Sequence, residues 1–192
     1  MIPEKQQAKK GIITQAVRKL AQQENLDAER LAVSIAQGRC VVLKHKKSVL
    51  GIGENLAIKV NTNIGTSPDI FDISLERKKL KRACELKTDT VMDLSTGGNL
   101  DRIRKEIVNA SSVPVGSVPI YQAVVEAIEK HGTIEHLKED DIFEVIERHA
   151  RDGVSFMTVH CGVTRACLEM LKKKTRKTGV VSRGGAFIVS WM

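Results

Sequence analysis

Apolar positions along the chain change their period partway. Between residues 11 and 36 they recur at helical spacing: Ile12, Ile13, Ala16, Val17 and Leu20 share one face, and Leu26, Leu31, Val33 and Ile35 resume the pattern after a polar break. Two short helices are predicted, with Asp27 as the N-cap of the second. An apolar run at 40–43 predicts a short strand, followed by a basic loop and a Gly51-Ile52-Gly53 turn. From Ala57 onward, short apolar runs are each followed by a polar, often glycine-bearing turn and then a helical stretch, which is βα rhythm. Strands are predicted at 58–61, 90–94, 113–118, 156–160 and 180–182, and helices at 74–86, 101–109, 120–130, 139–152 and 164–173.

This pattern divides the chain into a small helical lead-in with a short strand, 1–56, and a βα region, 57–192. Polar residues gather just after the predicted strands: Asn61 and Asn63, Asp93 and Ser95, Tyr121, His160, then Ser182 and Arg183. Convergence at the carboxyl ends of many parallel strands is the habit of a barrel. A doubly wound sheet would concentrate such groups at one switch point. The expected fold is therefore α/β, an incomplete (βα)8 TIM-type barrel of about five βα units behind the lead-in. A barrel needs eight strands and typically ~250 residues. An open one exposes strand edges and part of its core, so the chain is expected to need a partner, exchange elements or be marginally stable.

Composition agrees and narrows the function classes. Hydrophobic residues make up 42% of the 192, but aromatics only 3%, so the core has to be built from Val, Ile, Leu and Ala. The net charge of +8 favours an anionic ligand. Basic clusters at 44–47, 78–82 and 172–177 have acidic residues close by and read as solvated faces. With no recognition module and no aromatic stacking platform, no nucleic-acid partner is expected. Residues 1–10 are polar, and no run approaches the ~18 apolar residues of a membrane span, so a soluble cytoplasmic protein without a membrane partner is expected. Cys40, Cys84, Cys161 and Cys167 are too few and scattered for a disulfide framework or a metal signature. Reduced thiols are expected, and no metal site from this chain.

Five stretches carry candidate chemistry, each with a plainer alternative. Residues 61–67, NTNIGTS, offer amides and hydroxyls to a ligand, or form an ordinary Asn/Gly loop. Residues 92–99, MDLSTGGN, could present backbone N–H groups to an anion; alternatively Met92 fills the core and Asp101 is a helix N-cap. Tyr121, just past Pro119 at a helix start, could bond a ligand or pack at a rim. His160 and Cys161 are adjacent, so on a strand they would face opposite sides and form no dyad. Ser182-Arg183-Gly184-Gly185 has the chemistry for a phosphate or carboxylate, against a turn with an exposed arginine.

In order and spacing, the phrases KVNTNIGTS, DTVMDLSTGGNLDRIR, VPVGSVPIYQA, DGVSFMTVHCGVTR and TGVVSRGGAFIVSWM resemble the phosphomethylpyrimidine synthases, the ThiC family of thiamine biosynthesis, with a weaker match at KKGIITQAV and GIG. The resemblance implies a dimeric (βα)8-barrel enzyme that rearranges aminoimidazole ribotide into hydroxymethylpyrimidine phosphate by a radical made from S-adenosylmethionine at a [4Fe-4S] cluster. It implies substrate contacts at Asn63, Met92, Tyr121, His160, Ser182, Arg183 and Gly184. The family's zinc-binding histidines and its C-x2-C-x4-C cluster motif have no counterpart in these residues. The chain is thus expected to be the N-terminal part of such an enzyme, inactive alone, working as a homodimer or with a complementary C-terminal polypeptide. The alternative is a non-catalytic phosphate-ligand-binding or assembly protein on a partial barrel. The loop at 44–48 looks unlike its family counterpart.

Overall fold

A computed structural model describes residues 2–174 and 176–192. Helices α1 (Glu4–Lys9), α2 (Gln15–Gln23) and α3 (Ala28–Ala36) pack on an antiparallel hairpin, β1 (Cys40–His45) with β2 (Ser48–Gly53). Thr14 and Asp27 start α2 and α3 by accepting backbone N–H groups of Val17 and of Glu29 and Arg30. The faces these caps align bury Val17, Leu20, Leu31 and Ile35 beside Cys40. Burial of each larger side chain contributes roughly 1.5–3 kcal/mol. Gly51 lies in β2 rather than in a turn, and an added Cβ there would come within 2.6 Å of Leu20.

The basic loop is not simply a solvated face. Lys44 pairs with the buried carboxylate of Glu4. Lys46 donates to the carbonyls of Asn109 and Ser111 at 2.6 and 2.7 Å, and buried His45 sits 3.1 Å from the Ser111 carbonyl through Nε2. The hairpin tip thus grips the carboxyl end of a helix in the second region, where a cation complements the helix dipole. Burial lowers the His45 pKa and so favours the neutral ring.

The second region holds a parallel sheet in the order β3 (Asn61–Ile64), β4 (Thr90–Asp93), β5 (Val115–Ser117), β6 (Phe156–Met157). The helices are α4 (Ile73–Glu85), α5 (Leu100–Ala110), α6 (Pro119–His131), α7 (Glu139–Arg151), α8 (Arg165–Lys173) and α9 (Arg183–Trp191), with a 3-10 turn at Ile134–His136. Strand order follows chain order without a reversal. One sheet face packs Ile64, Val91 and Val115 against Leu80, Ile103 and Ile107. A further cluster joins Val118, Val124 and Val145 to Met92, Tyr121, Phe187 and Trp191, and the Trp191 indole donates to the Leu137 carbonyl at 2.6 Å. Among the described residues no helix is long and apolar enough to cross a membrane.

Three further expectations and one alternative are corrected. The first strand is not 58–61: Ile58 is 95% exposed, and pairing with β4 begins at Asn61, so Asn61 and Asn63 lie on the strand rather than after it. The fourth strand keeps only Phe156 and Met157, the residues that β5 can pair. No strand forms at 180–182 among the described residues; Val181 is 75% exposed, and the Ser182 hydroxyl accepts from Gly185 N–H and starts α9 instead. Asp101 is not a cap, because Asn99 holds that place by accepting from Arg102 N–H, which frees Asp101 to bind Arg104.

Candidate functional site

Register assigns the residues of one sheet face. Asn63, Met92, Gly116 and Phe156 stand opposite one another across the four strands, and so share the face away from α4 and α5. Phe156 lays its ring over Gly116, where any Cβ would overlap it. Asn63 is exposed, and its Oδ1 accepts from Asn61 Nδ2 at 2.8 Å. The Asn63 Nδ2 donors are thereby turned away from Asn61.

Loops β3–α4 and β4–α5 are stitched together behind this row. Thr66 donates its hydroxyl to the Gly97 carbonyl at 2.7 Å, and the Thr66 N–H reaches Ser95 Oγ at 3.1 Å. An added Cβ on Gly97 would stand 2.6 Å from Pro68 N, so the double glycine serves close loop packing rather than an open anion nest. Gly65 N–H is held at 2.8 Å by Glu76, which is 2% exposed. Asp93 accepts from Ser95 N–H and Oγ at 3.0 and 2.5 Å, and its burial pushes its carboxyl pKa upward.

A second group assembles where α6 meets α9. The Arg183 guanidinium lies 5.3 Å from the Tyr121 ring centroid, and Phe187 meets that ring edge-on at 5.9 Å. Gly184 is buried against His160: a Cβ there would stand 2.6 Å from Nε2 and 2.8 Å from Nδ1. His160 Nδ1 is buried and without a hydrogen-bond partner among the described residues. Ser182 Oγ is occupied as the α9 cap, 2.9 Å from Gly185 N–H. Tyr121, Arg183, Gly184 and His160 therefore form one chain of contacts, with Ser182 holding the helix start. Met92 packs on the same apolar cluster as Tyr121 and Phe187, and Asn63 is its neighbour on β3.

Sequence reasoning did not single out Phe156, Phe187 or Gly116. Four phenylalanines in the chain and a glycine between two valine-proline pairs were available signals. It also missed a buried polar network behind α6. There Ser117 meets His149 at 2.8 Å, His149 meets Gln122 at 2.9 Å, and Gln122 meets Arg104 and Asp101. Burial, with the nearby Arg104 and Arg148 guanidiniums, lowers the His149 pKa to about 3.

The family model described as the radical SAM ThiC family matches residues 4–192. The chain belongs to that family. It is 50% identical over 188 residues to a phosphomethylpyrimidine synthase of Methanocaldococcus jannaschii and 51% identical to one of Thermodesulfovibrio yellowstonii. In both cases 96% of this chain is covered. A phosphomethylpyrimidine synthase of Pyrococcus furiosus is 44% identical over 191 residues. The chain spans 44% of the length of each of these relatives.

The family implies an iron-sulfur cluster and S-adenosylmethionine, and the residues present do not fit a cluster. Cys40 is buried in the lead-in with its thiol on the Glu54 carbonyl, Cys84 is on α4, and Cys161 and Cys167 are exposed around α8. Among the described residues no three His, Cys, Asp or Glu side chains are grouped to hold a metal ion.

Proposed function

We propose that these residues form the substrate-cradling sector of a phosphomethylpyrimidine synthase, the first part of a (βα)8 barrel acting on aminoimidazole ribotide. The observation that carries this reading is the contact chain Tyr121–Arg183–Gly184–His160 at the start of α9. Arg183 and the first amides of α9 suit a phosphate, since a guanidinium binds two oxygens at once and a helix N-terminus favours negative charge. Gly184 lets the helix start approach the His160 ring closely enough for both to face one ligand. Tyr121, His160 and Asn63 supply a phenol, an imidazole and an amide to orient the ring and ribose hydroxyls, while Met92 gives an apolar wall. Ser182 acts indirectly, by fixing the helix start.

The radical step needs a [4Fe-4S] cluster, S-adenosylmethionine and, in the family resemblance, zinc. Their ligands have to come from sequence outside these 192 residues, because the four cysteines here are not grouped. In this reading a complementary C-terminal polypeptide supplies those ligands, whereas a second copy of this chain can only cover its surface. Support comes from α8, which buries none of its residues and leaves Met170 66% exposed.

Calorimetry with aminoimidazole ribotide tests the cradle. Binding by the unaltered chain, weakened at least about tenfold by Arg183→Ala and by His160→Ala, is expected from losing a charge-assisted contact of ~1.5–3 kcal/mol. Absent binding, or equal affinity in both variants, would sink the reading. The 192 residues alone should form no pyrimidine phosphate.

A further inference from the structure

Helix α6 has two polar neighbours with opposite tasks. Tyr121 meets Arg183 and Phe187, while the next residue, Gln122, is 4% exposed and sits in the buried network. The direction of every bond in that network follows from its carboxylates. Gln122 Nε2 lies 2.8 Å from Asp101 and 2.7 Å from Glu126, which can only accept, so this atom is the amide nitrogen. Gln122 Oε1 then accepts from Arg104 at 2.5 Å and from His149 Nε2 at 2.9 Å. His149 accordingly carries its proton on Nε2, and its bare Nδ1 accepts from the Ser117 hydroxyl at 2.8 Å. An unbroken polarity runs from β5 through α7 and α6 to α5.

Charged groups of both signs surround the chain, with Asp93 on β4 also near Arg104 and Glu144 on α7 near Arg148. Arg104, Lys105 and Arg148 face Asp101, Glu126 and Asp152 from α5, α6 and the end of α7. A second proton on His149 would add a cation beside Arg104 and turn Nδ1 from acceptor to donor, reversing the Ser117 bond. The other buried residues of α6 are Pro119, Ile120, Ala123, Val124 and Ala127, whose packing is not directional. A hydrogen-bond chain with a single allowed polarity does specify an angle.

We propose that Gln122, His149 and Ser117 are positioning residues that fix the rotation of α6 and the end of β5, and with them the direction in which Tyr121 presents its phenol. Successive helix residues are set about 100° apart, so any rotation that breaks the Gln122 bonds swings Tyr121 by the same angle. Ser117 carries the constraint into the sheet, opposite Asp93 and Met157 and next to Gly116. The consequence for ligand binding rests on the reading of Tyr121 as a substrate contact; the positioning itself does not.

Tyr121 is the one tyrosine in the chain, so ring-labelled tyrosine gives its signals alone in a carbon NMR spectrum. Nitrogen spectra of labelled histidine should show His149 neutral with hydrogen on Nε2 at pH 6. An Nδ1–H tautomer or an imidazolium at that pH would overturn the proposal. Gln122→Glu keeps the shape but turns oxygens toward Asp101 and Glu126, and Ser117→Ala removes the last donor. Both should shift the Tyr121 ring signals while circular dichroism stays unchanged, and adding Glu126→Gln to Gln122→Glu should move them back. Unshifted signals in a folded Gln122→Glu protein refute the positioning role. Should that variant not fold, Ser117→Ala and the histidine tautomer decide alone. Gln122→Glu should also weaken aminoimidazole ribotide binding at least about tenfold, since small misplacements of a contact are costly. Shifted Tyr121 signals with unchanged affinity would leave the positioning intact and remove Tyr121 from the substrate contacts.

Discussion

Gly184 and Gly97 look alike in the sequence, yet what surrounds each differs. At Gly184 an added methyl meets the His160 ring, a side chain that can turn; at Gly97 it meets the backbone of Ser67 and Pro68, which cannot. Gly184→Ala should therefore displace His160 and abolish the proposed aminoimidazole ribotide binding, with a stability loss below about 0.5 kcal/mol. Gly97→Ala should destabilise by roughly 1–3 kcal/mol in denaturant titrations. Equal stability losses would contradict the assignment. The chemistry of Ser182, Arg183 and Gly184 was legible from residue types alone. That Ser182 spends its hydroxyl on a helix cap was not, because the motif does not say whether a strand or a helix follows.

Titration also belongs to single residues. His149 has a pKa of about 3 in the fold against 6.5 as a free side chain. Between these values the unfolded chain binds the proton and the folded one does not, so stability falls as pH drops from 6.5, by at most about 1.4 kcal/mol per pH unit. His45, also depressed, acts in the same direction. Asp93 acts oppositely: its raised carboxyl pKa makes the fold hold a proton above 3.8 that the unfolded chain releases, so that contribution weakens as pH rises. Urea unfolding at pH 7 and pH 5 should show a loss on acidification that shrinks in a folded His149→Gln protein. A pH-independent midpoint in the unaltered chain would contradict the buried neutral ring.

At the scale of elements, helices were read closely and strands less well. The expected helix at 101–109 lies within α5 and that at 139–152 nearly coincides with α7, because a helix carries its own hydrogen bonds and its apolar face repeats over several turns. A strand exists only through a neighbour. The apolar Ile58 and Val60 drew the first strand too early, whereas the paired residues are the largely polar Asn61–Ile64. Residues 180–182 have strand-like composition but no paired neighbour, and they remain outside the sheet. The hairpin was half-legible, since nothing local indicates that its basic tip binds a helix end over sixty residues away. Lys46→Ala should cost about 1 kcal/mol by removing the cation from the α5 carbonyls, while Lys47→Ala should cost much less. Comparable losses in thermal melts would return the loop to a solvated face.

Taken as a whole molecule, the lead-in buries its own cluster, whereas the sheet region is covered unevenly. Helices α4 and α5 seal one face, and α6, α7 and α9 close around Val124 and Val145. By contrast, α8 has only Leu168 and Leu171 half-buried, and they border a cleft of about 420 Å³ shared with Val180 and Val189. Strands β3 and β6 each have one sheet neighbour among the described residues. Parallel sheets are ordinarily sheltered, so this surface favours a covering chain. The relatives extend well beyond the matched stretch, because 188 aligned residues are 44% of their length. A polypeptide comprising the remainder of the Methanocaldococcus jannaschii synthase is therefore the natural probe. Added at a hundredfold excess over its dissociation constant, a ligand of the folded state stabilises by ~2.7 kcal/mol. The melting temperature of this chain should rise with the amount of that polypeptide, and Met170→Asp or Leu171→Asp should abolish the rise without lowering the melting temperature of the chain alone. A melting temperature indifferent to the polypeptide, with separate elution on gel filtration, would show that α8 is not a docking face for it.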